Sequence, residues 1–173
     1  YPVHNTELMP EDPLQAIRSG NAADVDVLIG SNSDETTLWG HGDVDDTKLQ
    51  RIAAEYNVTN GVSTYRANRP DASAAQLLVA LTSDHMFRIP GIRLAEAQTE
   101  HTPNVWMYLF DWKSRAFDGR LGATHALEIP FAFNNLDRAG VDIFIGPGPI
   151  PQHLADTMPV SYTHLRAHET YDH

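Results

Sequence analysis

One run constrains this chain more than any other: V-W-M-Y-L-F-D-W, from Val105 to Trp112. It is apolar almost throughout, the pattern of a strand covered on both faces in a parallel sheet. A shorter β-branched run, Val25 to Ile29, ends at Gly30 and reads the same way. Parallel strands need a long crossover between them, and the intervening sequence is helical in character. Thr47 to Tyr56 carries apolar positions at Leu49, Ile52 and Ala53, with Asp46 or Thr47 as a cap. After Pro70, Asp71 could cap a longer helix along which Ala74, Leu77, Leu78 and Leu81 keep helical spacing. Pro90-Gly91 should interrupt that helix, and Ile92 to Thr99 should resume it.

The expected fold class is therefore α/β, a mostly parallel sheet flanked by helices. Two convincing strands do not complete such a sheet. The chain reads as one end of a larger one, with a strand edge and apolar helix faces left exposed. Around this centre stand smaller elements. Asp12-Pro13 opens a short helix closed by Gly20. Ser114 to Thr124 is a loop, Glu128 to Phe133 a short helical segment, and Pro151 to Met158 the start of another helix.

Composition narrows the function by exclusion. The 173 residues carry a formal net charge of -11, which argues against nucleic acid or an anionic membrane as partner. No apolar run approaches membrane-spanning length. With no cysteine, neither a disulfide, a thiolate nucleophile nor a cysteine metal site is available within this segment. The start, Tyr1-Pro2-Val3-His4, has neither an initiator Met nor a signal-peptide pattern.

The chemistry is carried by two segments far apart. V-L-I-G-S-N-S-D-E, Val27 to Glu35, places an acid just after the first strand. G-A-T-H-A-L-E-I-P-F, Gly122 to Phe131, places a His after a glycine-containing loop beyond the second. A serine hydrolase triad of the order nucleophile, acid, base would use such a pair as its last two members.

These segments, with Asp12-Pro13-Leu14, Asp84-x-x-Phe87-x-x-Pro90 and Y-L-F-D-W-K-S, resemble the C-terminal part of a type-B carboxylesterase. This is the carboxylesterase, cholinesterase and lipase family of α/β-hydrolases, and the likeness is strongest to bacterial members called para-nitrobenzyl esterases. It runs from about Pro2 to Met158. The resemblance implies a Ser-Glu-His triad acting on small carboxylic esters without cofactor or metal. Glu35, rather than Asp34, matches the family's acid, and His125 its base. His125 would take the serine proton and pass it to the leaving alcohol, while Glu35 holds the imidazole tautomer. Asp84 and Phe87 are expected to tie the long helix to its surroundings. Glu128, Phe131 and Phe133 are expected to pack, and Phe117 and Leu127 to pack or border a substrate pocket. His4, His41, His85, His101 and His153 read as surface or structural. Asn57-Val58-Thr59 is a glycosylation sequon read as incidental.

No Gly-x-Ser-x-Gly elbow occurs; Gly61-Val62-Ser63-Thr64-Tyr65 comes nearest but ends in Tyr. No His-Gly-Gly oxyanion loop occurs either. The 173-residue chain alone is thus expected to be inactive and poorly folded, with the nucleophile upstream. The competing reading is a cholinesterase-like binding or adhesion protein with a dead triad, against which the presence of both Glu35 and His125 argues.

Val160 to Thr170, V-S-Y-T-H-L-R-A-H-E-T, resembles the translation of a transposon-based sequencing adapter and is not expected to continue the preceding helix. The domain is therefore taken as 1–159, with 160–173 outside it. That sets aside His164-x-x-x-His168 with Glu169 and His173, whose spacing would otherwise suggest metal ligands.

Overall fold

The computed structural model describes residues 4–169. Its centre is a two-stranded parallel sheet, β1 (Val27–Asn32) beside β2 (Val105–Phe110). The register pairs Val27 with Val105 and runs unbroken to Asn32 with Phe110. At its middle Gly30 faces Tyr108, and a β-carbon on Gly30 would run into the tyrosine ring. A strand-interior glycine here marks a close approach rather than a weakness.

Before β1 lies α1 (Pro13–Arg18), where the Asp12 side chain accepts from the N–H groups of Leu14 and Gln15, and Pro13 occupies the first turn. The crossover between the strands is a helical layer: α2 (Asp46–Glu55), α3 (Gly61–Asn68), α4 (Ala74–Ser83) and α5 (Ile89–Thr99). α2, α3 and α4 close around Leu49, Ala53, Val62, Leu77, Leu78 and Leu81, all buried. The cap of α4 is Ser73, not Asp71: Ser73 and Gln76 exchange side-chain and backbone bonds in a capping box.

The expected break at Pro90-Gly91 does not occur. A π-helical turn, Asp84–Arg88, joins α4 to α5, and the Ile89 N–H reaches back five residues to the Asp84 carbonyl. This change of hydrogen-bond register, together with Pro90's place in the first turn of α5, carries the helix past a residue with no N–H to give.

After β2 come α6 (Ile129–Ala132), α7 (Val141–Ile145) and α8 (Gln152–Glu169). They enclose a second core of Phe110, Ala123, Leu127, Phe131, Leu136, Ile145 and Ala155. Contrary to expectation, the chain stays helical through Pro159 into the adapter-like segment. Tyr162 gives that stretch an anchor, its ring 6.4 Å from that of Tyr108 and its hydroxyl 3.1 Å from the Tyr108 hydroxyl.

β2 is not covered on both faces. Trp106, Met107 and Leu109 are 42%, 45% and 44% exposed, because two strands and their helices cannot shield a sheet. An apolar groove of about 630 Å³ runs between β2 and α8, lined by Leu28, Trp106, Tyr108, Leu154, Met158 and Tyr162 among others. These are the open edge and bare faces that an incomplete sheet predicts.

Candidate active site

The site is built where both strands stop. Because β1 and β2 are parallel and in register, the loops after them leave from the same end of the sheet, where ligands of open α/β sheets gather. The loops are then laced together. The Ser33 N–H donates to the Phe110 carbonyl at 3.0 Å, and the Asp34 N–H to the Ala123 carbonyl at 3.0 Å. The Ala123 N–H returns a bond to the Asp34 carboxylate at 2.8 Å, and the Thr37 hydroxyl donates to the Leu121 carbonyl at 2.6 Å. Gly122 makes this approach possible. Its φ is +60°, and a β-carbon there would collide with the Asp34 carboxylate.

Glu35 opens a 3-10 turn, Glu35–Trp39, and is only 5% exposed. Its Oε1 accepts from the Asn32 N–H at 2.7 Å, and its Oε2 lies 2.7 Å from Nδ1 of His125. The His125 N–H donates to the Glu35 carbonyl at 3.1 Å. Beyond His125, Ala126 takes a left-handed φ of 64°, a local strain that turns the chain sharply after the histidine. The His125 side chain is 44% exposed. With Nδ1 committed to Glu35, Nε2 is the nitrogen available to a reacting group.

Asp34 and Glu35, adjacent in sequence, thus do different work. The Asp34 carboxylate turns to Lys113 at 2.6 Å, and Lys113 also reaches Asp111 at 2.8 Å and the Ser33 hydroxyl at 2.7 Å. Hydrogen bonds from Lys113 and then Ser33 hold the Asp111 carboxyl below its usual range. Burial disfavours the Lys113 ammonium, but bonds to Asp111 and Asp34 outweigh it and raise its pKa. This network bolts the two strand ends together beside the Glu35–His125 pair.

Two aromatic rings also meet His125. Its ring centroid lies 5.4 Å from that of Trp39 and 5.2 Å from that of Phe87, and these two stack 5.8 Å apart. Phe87 therefore does more than tie the helix to its surroundings. Trp39 carried no signal in the sequence beyond its place four residues after Glu35. Asn32, also missed, donates its side-chain amide to the Thr124 carbonyl at 2.7 Å and to the Glu128 carboxylate, linking β1 to the chain on both sides of His125.

The other expectations sort cleanly. Leu127 and Phe131 are core and Phe117 is exposed; Phe133, expected to pack, is instead 73% exposed. Asp84 accepts from the Tyr65 hydroxyl at 2.5 Å and so ties α3 to the long helix. The His85 ring packs against that of Tyr56, and His101 bonds the Arg18 carbonyl through Nε2. His41 has its pKa lowered by burial and by Lys48, against a hydrogen bond with the Thr36 backbone. His4 and His153 are exposed. The side chains of His164, His168 and Glu169, and all of His173, lie outside the described residues. Among the described residues no three His, Asp or Glu side chains group as metal ligands.

The model of the carboxylesterase family matches residues 1–140. The chain belongs to the carboxylesterase family. It is 34% identical over 138 residues to the para-nitrobenzyl esterase of Bacillus subtilis (strain 168), covering 79% of this chain and 28% of that protein. It is 31% identical over 144 residues to the phenmedipham hydrolase of Pseudarthrobacter oxydans, covering 80% and 28%. Among solved structures, a Geobacillus stearothermophilus carboxylesterase superposes with a TM-score of 0.75 at 29% identity, covering 95% of this chain and 35% of that one. A PNB esterase superposes with a TM-score of 0.69 at 29% identity, covering 91% and 33%. This carboxylesterase chain thus spans about a third of the length of the relatives it matches, and its fold is that of a partial α/β-hydrolase.

Proposed function

We propose that this chain supplies the acid, Glu35, and the base, His125, of a serine carboxylesterase whose nucleophile and oxyanion hole come from sequence outside these 173 residues. The observation that carries the reading is the 2.7 Å contact between Glu35 Oε2 and His125 Nδ1, at the ends of two adjacent parallel strands. Family membership and relatives named para-nitrobenzyl esterase and phenmedipham hydrolase support it.

The chemistry follows from the geometry. His125 Nδ1–H donates to Glu35, so Nε2 presents a lone pair and can accept the proton of a serine hydroxyl. The serine oxygen attacks the ester carbonyl carbon. The tetrahedral intermediate then expels the alkoxide, which takes the proton from Nε2 and departs as the alcohol. Water repeats the sequence on the acyl-enzyme. The Glu35 carboxylate stabilises the transient imidazolium without itself becoming protonated. The substrate class is small carboxylic esters.

The domain relevant to this chemistry ends, in this proposal, before Val160. The test is recovery of the longer gene and assay of its product on para-nitrophenyl acetate. Hydrolysis with a burst of nitrophenol, abolished by His125→Gln, supports the reading. An in-frame elbow without serine, or an inactive longer protein, replaces it with a binding role.

A further inference from the structure

The long helix contributes an aromatic ring to the acid–base pair. One face of α4 meets the acid loop: the Thr36 hydroxyl lies 2.6 Å from the Thr82 hydroxyl, and the Thr36 N–H donates to the Ser83 hydroxyl at 3.3 Å. Phe87 lies four residues beyond Ser83, inside the π-helical turn Asp84–Arg88. Single π turns inside helices recur at functional sites. This one is pinned from a second side by the Tyr65 hydroxyl on Asp84. Phe87 thereby reaches the imidazole of His125, with Trp39 completing a triangle of rings 5.2 to 5.8 Å apart.

Glu35 alone fixes the imidazole at one atom. A single hydrogen bond at Nδ1 leaves the ring plane free to rock, because the terminal torsion of histidine is broad. With 44% of the side chain exposed, solvent does not hold it either. Rings packed against the imidazole restrict that motion.

We infer that Phe87 is a positioning residue for His125: delivered by the π-helical turn, it holds the imidazole plane, with Trp39, so that Nδ1 stays on Glu35 while Nε2 faces the nucleophile. The inference rests on His125 serving as the base. Its role is separate from burial of a core, since Phe87 and Trp39 belong to neither hydrophobic cluster.

The test uses the isotope-labelled longer protein, with the His125 ring signals assigned by their loss in His125→Gln. Phe87→Leu keeps most of the volume and removes the ring. The expected result is that the His125 ring protons move toward the values of an unstacked imidazole. Phe87→Tyr keeps them in place, and His101, bound to the Arg18 carbonyl elsewhere on the molecule, does not move. In the longer protein Phe87→Leu should lower kcat about three- to tenfold at nearly constant KM, with recovery in Phe87→Tyr. Unmoved His125 signals in Phe87→Leu overturn the inference. So does a displacement matched at His101, which marks general loss of structure. The ring signals need no turnover, so they can fail while ester hydrolysis stands, or stand while it fails.

Discussion

Glu35 and His125, 90 positions apart, are joined twice: carboxylate to imidazole at 2.7 Å, and the His125 N–H to the Glu35 carbonyl at 3.1 Å. The backbone bond sets the distance between the two loops, and the side-chain bond then sets the ring. The same carboxylate also takes the Asn32 N–H, so its orientation is held independently of the histidine. Such support from a strand end is what a precise site requires.

Glu35→Gln tests this arrangement. Glutamine can keep the Asn32 N–H bond through its carbonyl oxygen. It then offers an N–H to Nδ1, which forces the opposite imidazole tautomer and leaves a proton on Nε2 where a lone pair is needed. In the longer protein kcat should fall on the order of a thousandfold or more, with KM little changed. A loss of less than about tenfold would remove Glu35 from the acid's role.

Gly30→Ala tests the sheet that sets the loops. The added methyl meets the Tyr108 ring on the paired position of β2. Overpacking of this kind costs about 1–3 kcal/mol, and the tyrosine can yield only by leaving Tyr162. The urea midpoint should drop in Gly30→Ala and recover in part in the double variant with Tyr108→Ala. Independent, additive effects of the two changes would refute the contact.

Much of this was legible in the sequence, for identifiable reasons. Both strands were visible because their apolar runs are short and bounded, although β1 extends to Asn32 beyond the expected Ile29. The motifs singled out Glu35 and His125, and the structure places the Glu35 carboxylate, not that of Asp34, against His125. α3 went unread because its eight residues bury only Val62 and so show no apolar period. The π-helical turn was invisible because Pro90 signals a break, and only hydrogen-bond register shows how the helix passes it. Phe87 and Trp39 were missed as neighbours of His125 because their meeting depends on three elements docking at once.

Two tyrosines give the stability a definite alkaline limit. Burial, then the bond to Asp84, raises the Tyr65 pKa; burial, then the bond with Tyr162, raises that of Tyr108. In the unfolded chain both ionise near the ordinary value of about 10. The folded state therefore keeps protons that the unfolded state releases, and stability is full below about pH 10 and declines as pH rises beyond it. Urea midpoints measured from pH 8 to pH 11 should fall at the upper end, and Tyr65→Phe should flatten that fall. An unchanged slope in Tyr65→Phe would show that the Tyr65 pKa is not raised in the folded chain.

The open edge of β2 sets the behaviour of the chain in isolation. Trp106 on one face and Met107 and Leu109 on the other lie on a strand whose outer edge has no partner among the described residues, beside the groove toward α8. A long apolar edge strand pairs readily with other chains, and a net charge of -11 opposes close approach without covering apolar surface. The isolated chain should therefore bind the dye ANS and elute above its 19.2 kDa mass. Leu109→Lys places a charge on one of these faces and should reduce both effects without disturbing the buried Phe110 next to it. Raising the salt should enhance association, because it screens repulsion while leaving the apolar contribution intact. A chain that stays monomeric and dye-free at high salt would mean that this surface is covered in solution, and that the sheet needs no neighbours to be closed.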